Sequence, residues 1–435
     1  MLRFGTPEKP EMYEMGVIAS NMLHGHGYAM HWLTYIPLEA ERRALVESHT
    51  PPPYETAWQP PLQTYIVYWA FLLWGETPKA ASLLMWLNVL WSAVFPLVAY
   101  KVALLLAEEF PESALSHNAK EAAARISAIV STFFLPLAYG VITYSGSSFY
   151  QLGIVLFFWM ILLAVRRRNA AYFLAAGVCS AVQMLLRSEF LVFGTLLLLG
   201  AGIITAVQTC QARFVGISTL GCVLAFLVIS PWVVRNYQVF GKFIPTVSRP
   251  WFEIWRGNNP YATGTGWKPS GREACSILAD TLYAPITRKF DALPFDRTFE
   301  LRANEILKAE AIGYMSAHPA ETLALAIKKV FFLWVHDFYN PQSQNILYAL
   351  SMISVSILIW CGVWSIFAAK NLFAPNAAAL LTAAYLLMYT GIFALTFVLP
   401  RYRIYVFAGM LPLVGLGVVR LLLSHQGLKR FLKYS

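Results

Sequence analysis

An all-α polytopic membrane protein, with about nine transmembrane helices and two large extracytoplasmic loops, is the fold class this sequence predicts. Three observations predict it. Apolar residues make up 58% of the chain and charged residues only 13%, whereas a soluble domain carries roughly a quarter charged residues. The apolar residues are collected into nine long runs, and a span needs about 20 of them to cross the hydrocarbon core. The polar residues gather in two segments, 1–79 and 235–345, instead of scattering through the runs.

Taken in order, residues 1–79 form the first extracytoplasmic loop with interfacial helices. Within it 11–23 (EMYEMGVIASNML) reads as a helix, with Glu11, Met15, Ile18 and Met22 on one stripe and Glu14 one turn from Glu11. His24-Gly25-His26-Gly27-Tyr28 ends it, glycine being the usual helix stop. Residues 37–49 form a short polar helix, and prolines 51–53 and 60–61 brace the chain before 62–74. That last stretch is short for a span, and its Tyr65, Tyr68, Trp69 and Trp74 suit the bilayer interface. Residues 80–234 hold six spans: 80–107, 122–144, 148–165, 170–186, 190–207 and 214–234. Residues 235–345 are the second extracytoplasmic loop. Residues 346–435 hold the spans 346–369, 377–399 and 404–423 and a cytoplasmic tail.

Charge orients the spans. Arg166-Arg167-Arg168 marks the cytoplasmic side, and alternation places Arg213, Lys370 and the tail Lys429, Arg430 and Lys433 there as well. Both polar segments then lie outside. The run 324–335 would move the basic tail outside if it spanned, so it is expected to be an interfacial helix with Lys328 and Lys329 at headgroup level. Nine spans leave the N-terminus outside with nothing to translocate it, which points to a first transmembrane helix missing from this N-terminus. The net charge of +10 follows from basic residues at cytoplasmic span ends that meet anionic lipid, and implies no nucleic acid. Five cysteines, of which only Cys275 falls in an external loop, make no disulfide framework.

The ordered motifs carry a resemblance. Ile18-Ala19-Ser20-Asn21-Met22-Leu23 with Gly25 and Gly27-Tyr28, then Ala57-Trp58-Gln59-Pro60-Pro61-Leu62 with Gly75, resemble the first loop of the GT-C membrane glycosyltransferases. The likeness is to the bacterial branch of protein O-mannosyltransferases and lipid A aminoarabinose transferase. Leu186-Arg187-Ser188-Glu189, Pro231-Trp232-Val233-Val234-Arg235-Asn236, Arg256-Gly257-Asn258-Asn259-Pro260, His318-Pro319 and Arg401-Tyr402-Arg403 continue the pattern in the family's order over nearly the whole chain.

The resemblance implies transfer of a sugar from a polyprenyl-phosphate donor to a glycan, lipid or protein acceptor, with inversion, at the outer face of a bacterial inner membrane. Such chemistry needs a carboxylate to take the acceptor's proton, cations on the leaving phosphate and an apolar groove in contact with membrane lipid. Glu11, at the family's acid position, and Glu14 on the same helix are the expected catalytic residues. Where the family usually carries an aspartate, often in an Asp-Glu pair, this chain has Glu11 followed by Met12. Arg401, Arg403, Arg235, Asn258, Gln59 and Arg187 are the expected substrate-binding residues. No cofactor is required. A divalent metal stays open, since His24 and His26 neighbour the two acids, but a zinc site needs three or four ligands and His-Gly-His-Gly is also turn chemistry. No Walker loop, Cys-x-x-Cys pair or Ser-His-Asp arrangement is present. The rival classes are a flippase or transporter for a lipid-linked sugar, which would place polar sites at the midplane on broken helices, and an inactive homologue acting as a scaffold.

Overall fold

The computed structural model describes residues 14–30, 53–141, 145–270, 284–294, 296–368 and 376–424. The chain is an integral, multi-pass membrane protein. Seven described helices are long and apolar enough to cross a membrane: α3 (Pro78–Ala107), α6 (Ser147–Arg167), α8 (Phe190–Thr209), α9 (Arg213–Phe240), α14 (Ile346–Ala368), α15 (Ala377–Leu395) and the stretch Pro400–Leu423. The last of these consists of α16 (Pro400–Met410), a 3-10 turn and α17 (Val414–Ser424). The two remaining apolar runs give shorter helices. Residues 122–144 were expected as one span, but α4 (His117–Phe133) ends at an extended Phe134 and a short α5 (Leu135–Val141) follows. Pro136 is the physical reason, because it lacks the amide that would bond the carbonyl four residues back, at Thr132, and its ring clashes there. The run 170–186 yields α7 (Ala170–Met184), apolar but only 15 residues long.

Small residues let these helices approach closely. A Cβ on Gly177 would stand 2.3 Å from the Gly221 carbonyl oxygen, one on Gly362 2.1 Å from that of Leu413, and one on Gly415 1.7 Å from that of Ala123. In a bilayer, where water does not drive helices together, such contact is a main source of cohesion. A second consequence is orientation. With Gly415 against Ala123 near the start of α4, Arg420 lies toward the end of the bundle that also holds Arg166, itself paired with Glu108 at the end of α3.

The polar segments fold against each other and against one end of the bundle. α1 (Glu14–Leu23) packs on α2 (Pro61–Trp74). Its Ala19 joins Val67, Phe71 and Leu84, while its Ile18 joins Tyr28, Trp58, Trp232, Trp255 and Phe299. Two short strands, β1 (Ala29–Met30) and β2 (Tyr54–Glu55), pair antiparallel after it. The second segment supplies α10 (Pro250–Gly257), α11 (Ala284–Asp291), α12 (Phe299–Ala317) and α13 (Pro319–Trp334). The joint between segments is polar and buried: Glu300 accepts from the Thr56 hydroxyl (2.7 Å) and the Ala57 amide (2.9 Å), and Arg249 donates to the Trp58 carbonyl (3.0 Å).

α13 buries one of the two lysines that were expected together at headgroup level. Lys329 is buried and donates to Asn258 Oδ1 (2.9 Å) and the Ala394 carbonyl (3.1 Å). The helix then runs inward along α15, so that the Trp334 indole donates to Thr390 (3.0 Å) and the Trp334 carbonyl accepts from Ser356. Ser356 lies ten residues into α14, roughly 15 Å along its axis. Lys328 stays half-buried over the Tyr339 ring. The amphipathic pattern is compatible with either placement; what sinks the helix is the pair of acceptors waiting for Lys329.

Candidate active site

The start of α2 is where the candidate residues converge. Gln59, buried just before Pro60-Pro61, donates from its side-chain nitrogen to the Glu14 carboxylate at the first turn of α1. The Gln59 carbonyl is held from below by the Tyr28 hydroxyl (2.9 Å). Three residues on, the Leu62 amide donates to the Leu185 carbonyl (3.0 Å), two residues before Arg187. Three extended residues reach no more than about 11 Å, so Gln59, which holds Glu14, and Leu62, which holds the turn that leads to Arg187, are close along the chain. The fixed φ of the two prolines makes this corner rigid.

Arg187 sits in the turn between α7 and α8. Its Nε donates to Glu189 (2.9 Å), and its guanidinium stands 4.9 Å from the ring centre of Tyr402, 5.2 Å from Tyr405 and 5.9 Å from Tyr150. Arg401, on the first turn of α16, stands 5.5 Å from the same Tyr402 ring, and its Nε is buried without an acceptor among the described residues. The two guanidiniums share the Tyr402 ring, and Glu189 pairs with Arg187. The cluster therefore keeps an excess positive charge and an unused donor, which suits an anion of phosphate type. The Ser147 hydroxyl, at the start of α6, bonds Tyr405 (2.9 Å) and Ser145 (2.7 Å), which fixes the phenol against the arginine.

The other expected site residues lie elsewhere. Arg235 donates to the carbonyls of Thr56 (2.6 Å) and Tyr28 (2.9 Å) and stacks on Tyr28 and Trp232, so it clamps the hairpin to α9. Asn258 is buried, donates to the carbonyls of Ile254 and Leu395 and accepts from Lys329. Arg403 is fully buried and donates to the carbonyls of Leu333 (3.1 Å) and Val335 (2.8 Å), closing the end of α13. Glu11 lies outside the described residues. His24 faces Glu76 (3.6 Å) rather than Glu14, and among the described residues no group of three or more metal-ligating side chains occurs.

Several groups escaped the sequence reading. Glu300 falls on the apolar stripe Phe299, Ala303, Leu307 and Ala311 of α12, and an acid on such a stripe signals burial. Burial pushes its carboxyl up to about 7 against the hydrogen bonds from Ala57, Thr56 and Ser248. Burial likewise lowers Lys329 to about 7. Asp337, just past the end of α13, is buried and accepts from Thr265, and burial raises its carboxyl. Tyr150 and Tyr405 carry no sequence mark that separates them from other aromatic residues of the spans.

No protein-family model matches the chain, and no curated protein matches its sequence. Solved structures match its fold. The archaeal oligosaccharyltransferase AglB from Archaeoglobus fulgidus, in complex with an inhibitory peptide and a dolichol-phosphate, superposes with a TM-score of 0.54 and 14% identity, over 98% of this chain and 48% of that one. The same organism's oligosaccharyltransferase in the apo form gives 0.53 and 15%, over 99% and 48%. The chain thus spans about half the length of these structures. ArnT from Cupriavidus metallidurans, bound to undecaprenyl phosphate, gives 0.38 and 12% over 96% of this chain and 74% of that one, too loose a likeness to argue from. The all-α membrane architecture described above is the fold this chain shares with the Archaeoglobus fulgidus oligosaccharyltransferase.

Proposed function

We propose that the chain is a membrane glycosyltransferase that moves a sugar from a polyprenyl-phosphate donor to an extracytoplasmic acceptor, with inversion. One observation carries the reading. Gln59 before the proline corner holds a first-loop carboxylate and Leu62 after it holds the turn that carries the cationic, aromatic-walled Arg187, in a fold shared with an oligosaccharyltransferase whose structure holds dolichol-phosphate. In the reaction the acceptor hydroxyl gives its proton to Glu11 or Glu14 while its oxygen bonds to the anomeric carbon. The bond from that carbon to the phosphate oxygen breaks, and its electron pair leaves with the polyprenyl phosphate. Arg187 and Arg401 stabilise the charge that develops there. Attack opposite the leaving phosphate inverts the anomeric centre. Gln59 orients the Glu14 carboxylate, and Arg235, Asn258 and Arg403 hold the loops that frame the site. The proposed acceptor is a glycan, a lipid or a protein, and the positive-inside pattern supports a site on the outer face of the membrane, which we take to be a bacterial inner membrane.

Reconstitution in vesicles with a radiolabelled polyprenyl-phosphate sugar tests the reading. Transfer of label to an acceptor supports it. Movement of the donor across the bilayer without transfer indicates a flippase, and neither process a scaffold. Glu11→Gln should lower turnover by about 10²–10⁴-fold with little change in donor binding, as loss of a general base does, and Glu14→Gln should cost less. The reverse order would make Glu14 the base; normal turnover in both variants would remove the first-loop base altogether.

A further inference from the structure

The bundle carries a cavity of about 470 Å³ on its lipid-facing side, between the end of α13 and helices α14 and α17. Its walls are apolar, formed by Trp334, Ile353, Ile357, Trp360 and Trp364, and one charged side chain, Arg420, lines it. α13 stops at Trp334, whose carbonyl meets Ser356 and whose ring packs edge-on against Trp360 at 5.1 Å, so it narrows the groove part-way along α14. From Ile353 to Trp364 the groove follows eleven residues of α14, roughly 16 Å of helix. That length is about half of a ~30 Å hydrocarbon core, the depth of one leaflet.

Arg420 is exposed, and no described side chain pairs with it. It lies toward the same end of the bundle as Arg166. A cation lining an apolar groove about as long as one leaflet is deep matches one kind of molecule in charge and in length. We infer that this groove is a binding site for an anionic glycerophospholipid of the leaflet on the Arg420 side, its phosphate on Arg420 and one acyl chain laid along α14 as far as Trp334. A polyprenyl chain from the opposite leaflet meets α13 before it reaches the slot. The occupant braces the end of α13 that Arg403 also holds, and Lys329 of that helix holds Asn258, so the lipid supports the loop framework without entering the reaction.

The test is native mass spectrometry of the full chain, purified in detergent, delipidated and titrated with phosphatidylglycerol or phosphatidylcholine of identical acyl chains. One phosphatidylglycerol should be retained in preference to phosphatidylcholine. Arg420→Gln should lower its affinity about fivefold, the worth of one basic side chain at a charged membrane surface, and remove the preference. Ile357→Trp, which fills the slot and leaves the charge, should abolish retention of both lipids. Lys101→Gln, a cation on exposed α3 remote from the groove, should change neither. Equal retention of the two lipids, an unchanged Arg420→Gln titration, or displacement of the bound lipid by undecaprenyl phosphate would overturn the assignment. None of these readouts uses enzymatic turnover.

Discussion

Replacing Glu300 by glutamine should remove a pH dependence from the joint between the two polar segments. Glu300 is buried and accepts from Thr56 and Ala57, the residues that lead to Gln59. In the unfolded chain its carboxyl ionises near the ordinary value of 4.5, while in the fold burial, opposed by those hydrogen bonds, holds the proton to about 7. Between these values the native state binds more protons than the unfolded state, so stability falls as pH rises from about 4.5 to about 7 and is level above. A shift of this size corresponds to roughly 3 kcal/mol at most. In Glu300→Gln the new amide oxygen accepts from the Ala57 amide and the new amide nitrogen donates to the Thr56 hydroxyl, so the geometry survives without the titration. Thermal unfolding in detergent, measured from pH 5 to 8, should show the wild type losing stability across this window relative to Glu300→Gln. Parallel pH profiles for the two proteins, or a variant that is less stable at pH 8, would refute the account of a buried carboxyl held protonated.

The remaining predictions use the same structure. Lys329 titrates near 7 in the fold against an ordinary 10.5, so the native state binds fewer protons than the unfolded one between these values and stability should rise across pH 7–10.5; Lys329→Met should flatten that rise in the same unfolding assay. Arg403→Leu leaves the carbonyls of Leu333 and Val335 unpaired, at about 1–3 kcal/mol each, and should lower the melting temperature sharply. Gly257→Ala sets a Cβ 1.7 Å from the Thr396 carbonyl oxygen, and should destabilise the α10–α15 contact by about 1–3 kcal/mol or more. Arg401→Gln should weaken binding of a polyprenyl-phosphate donor by about ten- to hundredfold, the worth of a charge-assisted hydrogen bond, with the fold intact by circular dichroism.

The site was legible only where a residue's chemistry could be read together with its place in a motif. Arg187, Gln59, Glu14 and Arg401 stand in short motifs beside prolines, acids or tyrosines; in the structure Gln59 meets Glu14, and Arg187 and Arg401 meet the Tyr402 ring. Arg235, Asn258 and Arg403 stand in equally good motifs, yet each ends on backbone carbonyls, because a buried loop must satisfy its main chain and these side chains were the nearest donors. Lys329 reads as a snorkelling cation, and only the position of Asn258 and Ala394 shows that it does not snorkel.

By itself the sequence determined the membrane class, the helical runs and the separation of polar from apolar mass. Those follow from local rules: in hydrocarbon every backbone group must be paired within its own helix, so a sufficiently long apolar run has one stable form. It could not determine the break of the 122–144 run at Phe134, the descent of α13 into the bundle, the burial of Glu300, or the sharing of Tyr402 by Arg187 and Arg401. Each depends on a partner distant in sequence, from Glu300 against Thr56 to Arg403 against Leu333. A side chain's role is set by which acceptor or ring the packed chain places beside it, and that placement exists only once the helices have assembled.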